Sequence, residues 1–378
     1  MRFAVTYRIF ADSRDEARAR AEGIALEQTV EVPRDVVPLG FIADEIVGRI
    51  EDLGREGDGR WRATISYSPE SAGREITQFL NVVFGNSSIQ RGIRVIGVDP
   101  GATLSGRFPG ARFGIEGLRR LTGRARGGLI APVLKPMGLS ADDLAHLAYL
   151  CARGGADIVK EDHGLADQPM APFRERVDKV AAAVARANAE TGGRSLYFPN
   201  LAGRAEEVEA NLRHAEAAGA GGILVMPGLL GFGIVERIAR EGRLPVMTHP
   251  AFLGPFVLSP DTGMDHGVIF GTLQRLAGSD IAIFPNVGGR FGFSVDDCNQ
   301  IAAACRDPQG PGRPILPSPG GGMSVERAAD MAQMYGEDVA YLLGGSLLRL
   351  GERIEDGISA MRAALDLADR SRRAAQRP

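Results

Sequence analysis

The sequence predicts an α/β protein in two parts: a small N-terminal α+β domain of ferredoxin-like type over residues 1–115, then a parallel (β/α)8 TIM barrel over residues 116–378. Three observations predict this. From Gly128 onward an apolar run, a loop and a helical pattern recur at roughly 25 to 40 residues, the rhythm of a repeated βα unit. The first 115 residues lack that rhythm and read as strands and helices joined by turn residues. Finally, no Rossmann glycine fingerprint follows the first strand of the repeat, which favours a barrel over a doubly wound open sheet.

In chain order, Phe3 to Ile9 is a strand candidate and Ser13 to Glu27 a helix rich in alanine, arginine and glutamate. Asp44 to Glu51 and Trp61 to Ser68 read as strands with Gly57-Asp58-Gly59 in the hairpin connection. Glu75 to Val83 is expected to be helical and to stop at Phe84-Gly85-Asn86; Val98 to Phe113, with its prolines and glycines, is the connection to the barrel. The eight barrel strands are expected at residues 129–134, 156–159, 195–199, 222–226, 244–248, 281–284, 314–316 and 339–343. The helix after the first shows the logic. Ser140 caps it, Asp142 and Asp143 suit its positive end, and Leu144, Leu147, Ala148 and Cys151 recur on one face. Gly154 ends it. The basic tail from about Ser371 is expected to fray.

Composition narrows the function. The chain carries 44% hydrophobic and 24% charged residues, ample for a core, and a net charge of −3. With no basic block, nucleic acid is excluded as a partner. No apolar run approaches the roughly 20 residues that cross a bilayer, and Met1-Arg2-Phe3-Ala4-Val5 enters a strand directly, so no membrane and a cytoplasmic location are expected. Cys151, Cys298 and Cys305 show no ligand spacing and fit a reducing compartment.

The run Ala156 to Val159 leads into Lys160-Glu161-Asp162-His163-Gly164, four ionisable side chains at the carboxyl end of a buried strand. Alternation would send Lys160 and Asp162 to one side and Glu161 and His163 to the other. A lysine buried there is costly without a task. A structural Lys–Asp pair closing the strand is the plain alternative. In barrels the active site lies at the strand carboxyl ends. Those ends here carry Lys135; Lys160, Asp162 and His163; Asn200; His249; Asn286 and Arg290; Gly320-Gly321-Gly322; and Gly344-Gly345. The two glycine runs sit where barrels bind phosphate through backbone N–H groups, with Ser324 and Ser346 as further donors. Arg290, in a glycine-rich loop, suits a lid over an anion. Lysine, carboxylate and imidazole together suit moving a proton next to a carbonyl in a small phosphorylated substrate.

At this point the chain resembles the RuBisCO large-subunit superfamily, and more closely its RuBisCO-like proteins (form IV). The resemblance is carried by Glu27-Gln28-Thr29-Val30-Glu31-Val32-Pro33, Leu80-Asn81-Val82-Val83-Phe84-Gly85-Asn86, Phe113 to Arg119, Leu134-Lys135-Pro136-Met137-Gly138-Leu139-Ser140 and the Lys160 run. Arg275 to Asp280, Gly320 to Met323 and Gly344-Gly345 continue it. The resemblance implies a homodimer with sites at the subunit interface, Glu27 and Asn81 reaching into the neighbour's site. It implies that Lys160 takes up CO2 as a carbamate, that the carbamate and Asp162 bind Mg2+, and that Lys135 is an acid/base lysine. Arg290 falls where carboxylases have a mobile lid lysine.

The departures shape the expected function. His163 stands where carboxylases have a glutamate as third metal ligand, a softer, neutral donor for a hard cation. Pro250 replaces a phosphate-binding arginine, Ile283 a histidine, Gly320 a serine and Met137 a lysine. The expectation is therefore an enzyme that does not fix CO2 and whose substrate carries one phosphate. It would form a metal-stabilised enediolate from a phosphorylated sugar acid or ketose, ending in enolisation, isomerisation or decarboxylation. His163 and Arg290 set the chain apart from the methionine-salvage enolase pattern. Two alternatives stand beside this: a non-catalytic binding or regulatory paralogue, and an aldolase-type lyase using Lys160 as a Schiff base.

Overall fold

The computed structural model describes residues 1–375. The N-terminal sheet contains β1 (Phe3–Phe10), β2 (Arg49–Gly57), β3 (Arg60–Tyr67) and β4 (Ile93–Asp99), with β1 antiparallel to both β3 and β4. β1 alternates strictly: Phe3, Val5, Tyr7 and Ile9 are buried under the helices Arg14–Glu27 and Ile76–Phe84. Two sequence expectations change here. The strand expected from Asp44 begins at Arg49, and Ile42–Ile46 is a helical turn. Gly48, just before the strand, packs so closely on Ala25 that a Cβ would lie 3.0 Å from it. β4 was not expected, because Arg94 interrupts its apolar pattern. That arginine is buried and bonded to Asp265 (2.5 Å) and to the carbonyl oxygens of Ser259 and Met264 (both 2.6 Å).

The barrel strands are β5 (Leu129–Leu134), β6 (Ile158–Glu161), β7 (Leu196–Phe198), β8 (Ile223–Val225) and β9 (Val246–Thr248). After β10 (Gly263–Met264), which leaves the barrel to pair with β4, come β11 (Ile281–Pro285), β12 (Leu316–Gly320) and β13 (Ala340–Leu343). The parallel sheet runs in the order β7-β6-β5-β13-β12-β11-β9-β8. Asn200 and Leu224 bridge its two ends, with Leu201 N–H donating to Leu224 O at 2.8 Å, so the barrel closes. Leu129, Ala131, Ile158, Phe198, Leu224, Met247, Ile281, Ile283 and Leu316 fill its interior. Every expected barrel strand is found, with ends shifted by a few residues. Continuous apolar runs mark strands covered on both faces, so their positions are readable while their ends are not.

The helix Ala141–Arg153 starts at Ser140, which shares a reciprocal cap with Asp143, and ends at Gly154. The tail expected to fray from Ser371 is instead helical as far as Ala375, with Arg372 and Arg373 paired to Glu337 at 3.1 and 2.7 Å; residues 376–378 lie outside the described residues. Among the described residues no helix is long and apolar enough to cross a membrane.

Candidate active site at the barrel mouth

Ile158 and Lys160 share the inward face of β6, and Lys160 is the topmost, buried to 1% exposure. Among the described residues its amine has neither an ion-pair partner nor a hydrogen-bond acceptor. Burial, only partly offset by the nearby Asp162 charge, pulls it down to about 7. Glu161 faces outward and is fully paired. It takes Arg176 Nε at 2.6 Å and Nη2 at 3.3 Å, Tyr197 OH at 2.6 Å and the Asn200 N–H at 2.8 Å. The alternation therefore holds for Lys160 and Glu161 and fails for His163. The strand ends at Glu161, and the following turn brings His163 back beside Asp162, on the lysine side.

Asp162 is the hub of the mouth. Its Oδ1 lies 3.5 Å from Lys135 Nζ and 3.3 Å from His163 Nδ1. Burial alone would raise its carboxyl. The His163 imidazole and the Lys135 and Lys160 charges outweigh that and hold it well below the usual carboxylate range. The His163 contact is close yet badly aligned for a hydrogen bond, leaving Nδ1 as a buried atom without a partner. His163 stacks face to face on His249, with centroids 3.9 Å apart and planes 15° apart. His249 Nδ1 accepts the Ala251 N–H at 3.1 Å, which leaves Nε2 as the proton-bearing nitrogen of a neutral ring. Burial, then the Lys160 charge, keep that ring neutral by lowering its pKa well below the ordinary histidine value.

The other expected site residues fall into three places. Asn200 is fully buried beneath the mouth, and its amide donates to His163 O at 3.0 Å and Leu165 O at 2.8 Å. It holds the loop that carries His163, and its Oδ1 is buried without a partner. On the opposite side of the mouth, Gly320 ends β12 and Gly321 and Gly322 follow with φ of +98° and +66°. Gly344 and Gly345 have nothing within 4 Å of where a Cβ would stand, so their backbone borders open space. Arg290 is exposed, its guanidinium 5.1 Å from the ring of its neighbour Phe291. Glu27 and Asn81 lie together on the N-terminal domain. Asn86 donates to Glu27 at 2.8 Å, and Gln28 to the Asn81 carbonyl at 2.8 Å. Among the described residues neither bonds to a residue of the mouth in the same chain.

Sequence reasoning missed Arg176, Tyr197 and Arg327. The first carried a weak signal, being an arginine among Phe173, Val177 and Val180 on an apolar helix face.

Among the described residues no three His, Cys, Asp or Glu side chains cluster as a metal site. Asp162 and His163 do fit as two adjacent ligands, with an oxygen and an unpartnered nitrogen converging at 3.3 Å. A carbamylated Lys160 would add a further oxygen, a neutral amine being the form that reacts with CO2.

A profile described as "Ribulose bisphosphate carboxylase large chain, catalytic domain" matches residues 114–376. The chain is 37% identical over 366 residues to "5-methylthioribulose-1-phosphate isomerase" of Rhodospirillum rubrum, covering 96% of each. It is 30% identical over 372 residues to "2,3-diketo-5-methylthiopentyl-1-phosphate enolase" of Geobacillus thermodenitrificans, covering 93% of this chain and 89% of that one. Among solved structures it is similar to the RuBisCO-like protein of Rhodopseudomonas palustris, with a TM-score of 0.86, 37% identity and 97% of each chain covered.

Proposed function

This chain belongs to the ribulose bisphosphate carboxylase large-chain family, among its RuBisCO-like members, and from that premise we propose that it forms an enediolate from a phosphorylated ketose or sugar acid without fixing CO2. The observation that carries the reading is Lys160: a buried amine, near neutrality at about 7, beside Asp162 and without a partner of its own among the described residues. Enzyme names among the relatives, an isomerase and an enolase of phosphorylated substrates, support an enzyme of this kind.

Lys160 as a carbamate, Asp162 and His163 would hold Mg2+, which supplies charge stabilisation for the oxygens of an enediolate. The remaining work falls to the chain's own groups. Lys135, 3.5 Å from Asp162, acts in its free-amine form, taking the proton from the carbon next to the carbonyl and returning it. His249 Nε2–H donates to a substrate oxygen as a neutral imidazole. Gly321, Gly322, Gly344 and Gly345 take the single phosphate through backbone N–H groups. Asn200 fixes the loop behind His163, and Arg290 closes over the anion. Glu27 and Asn81 complete the neighbouring site of a homodimer.

The test is solvent deuterium exchange. The purified protein with Mg2+ and bicarbonate is given a panel of phosphorylated ketoses and sugar acids, 5-methylthioribulose 1-phosphate included. Deuterium should enter next to the carbonyl of at least one, and Lys135→Ala should abolish it. An empty panel, or carboxylation of ribulose bisphosphate, defeats the reading. The same lowered amine would also serve a Schiff base; substrate plus borohydride should leave Lys160 unmodified, and trapping would favour that second reading.

A further inference from the structure

Three successive backbone carbonyls beyond β12 are each pinned by a side chain from a different part of the barrel. Asn286 Nδ2 donates to Gly321 O at 3.3 Å, Arg327 Nη1 to Gly322 O at 2.6 Å, and Ser346 Oγ to Met323 O at 2.7 Å. Arg327 also reaches back with Nη2 to Val287 O at 3.2 Å, at the root of the loop that carries Arg290. Asn286 is itself fixed, fully buried, with Tyr335 OH donating to its Oδ1 at 2.6 Å.

A trans peptide points its C=O and its N–H in opposite directions. Pinning the carbonyls of residues 321, 322 and 323 therefore turns the N–H groups of Gly322, Met323 and Ser324 away from the pinning side chains. None of these three N–H groups has an acceptor among the described residues. Met323 is only 3% exposed, and a buried N–H without a partner is rare. Consecutive N–H groups freed in this way form a concave nest for an anion. The glycines also acquire a second explanation. A Cβ on Gly322 would lie 2.6 Å from Arg327 Nη1, and one on Gly288 would lie 3.3 Å from Nη2. Room for the protein's own guanidinium, as much as room for a ligand, calls for glycine at these two positions.

We propose that Arg327, with Asn286 and Ser346, is a positioning residue that staples the Arg290 loop to the glycine turn after β12 and so shapes the backbone nest for the substrate's phosphate. This rests on reading the glycine-lined side of the mouth as the phosphate site. The staple acts through geometry. Arginine's planar fork holds two carbonyls from two separate nitrogens, whereas a lysine, though equally charged, carries its three N–H donors on one nitrogen and cannot span the same pair in that geometry.

The test compares wild type with Arg327→Lys and Arg327→Gln, using inorganic phosphate as the calorimetric probe and hydrogen exchange of peptides covering residues 286–292 and 320–326. Both variants should bind phosphate roughly tenfold more weakly, since each loses a charged hydrogen bond that orients the nest. Both loops should exchange faster together while the helix Ala328–Tyr335 stays protected. Ser346→Ala should repeat the effect in smaller measure and Ser346→Thr should restore it. A lysine variant that binds phosphate as wild type does would show that charge alone matters and would overturn the proposal. So would variants that lose thermal stability while the folded protein keeps its phosphate affinity. If wild type itself binds no phosphate, the phosphate reading of the mouth fails. The staple is then decided by exchange alone: joint acceleration of the two loops supports it, and unchanged protection ends it.

Discussion

The two ends of the barrel treat buried charge in opposite ways. At the base, Asp280 accepts three backbone N–H groups, from Phe113 at 2.8 Å, Gly114 at 2.7 Å and Val246 at 3.0 Å. Asp157 takes the Ile130 N–H at 2.7 Å and a guanidinium from Arg362, and Arg275 donates to the carbonyls of Ala304, Asp307 and Gly312. At the mouth, the Lys160 amine has no partner among the described residues, and His163 Nδ1 and Asn200 Oδ1 are buried unpaired. An unpaired buried charge costs more stability than a single unpaired atom of a group that is otherwise bonded, so a fold tolerates one where a ligand or modification will complete it. The base holds each of its charged groups by several bonds, though single atoms such as Arg275 Nε stay unpaired, whereas the mouth leaves the whole Lys160 amine without one among the described residues.

Substitutions at the two ends should therefore separate activity from stability. Lys160→Met should lower the exchange activity at least about a thousandfold. It should raise the unfolding midpoint, because a buried amine without a partner is replaced by a side chain that suits the site. A lower midpoint would mean that Lys160 is structural after all. Asp280→Ala should do the reverse. It leaves three N–H groups without an acceptor and should lose about 3 kcal/mol or more in denaturant titration. The folded fraction should keep its turnover per site.

The same division separates what could be read from the sequence. The barrel strands were legible because burial on both faces writes itself as unbroken apolar runs, and the Lys160 run stood out because charge seldom ends such a strand. The position of His163 was not legible. Alternation predicts a side only while the strand lasts, and this one stops at Glu161. Nor could the sequence assign Arg327, whose partners are carbonyl oxygens at residues 287 and 322, because backbone acceptors leave no mark in side-chain pattern. β4 was hidden for a related reason: Arg94 looks like an interruption until Asp265 is seen beside it.

The pH dependence of stability sharpens the contrast further. Lys160 titrates near 7 in the folded protein against an ordinary value of 10.5. Between those values the unfolded chain holds a proton that the folded chain has shed, so stability should rise with pH across that window. Below about pH 7 the lysine is charged in both states and its burial cost is felt in full. Denaturation midpoints measured from about pH 6 to about pH 10 should rise more steeply in wild type than in Lys160→Met, the difference isolating Lys160 from buried thiols such as Cys151 and Cys305, whose raised values act with the opposite sign near the top of the range. Equal slopes in the two proteins would mean that the amine keeps its ordinary value and that the mouth is better solvated than its burial implies.

The smallest effect concerns the backbone. Around the base the positive φ angles belong to glycines, among them Gly110, Gly114, Gly123 and Gly312. Just beyond His249 the mouth departs from this: Phe252 has φ of +67° in the turn that Leu253 N–H closes onto Pro250 O at 3.0 Å. Its ring, 71% exposed, gains little from burial to offset that conformation. Left-handed backbone costs a non-glycine residue roughly 1–3 kcal/mol, while glycine adds roughly 0.5–1 kcal/mol of unfolded-state entropy. Phe252→Gly should therefore stabilise the protein by about 1 kcal/mol. Phe252→Ala removes the ring and keeps the strain, so it should gain nothing. If alanine stabilises as much as glycine, the cost lies in the exposed ring and the turn is relaxed. If only glycine does, the mouth holds strained backbone as well as unpaired charge, directly beside the histidine that stacks on His163.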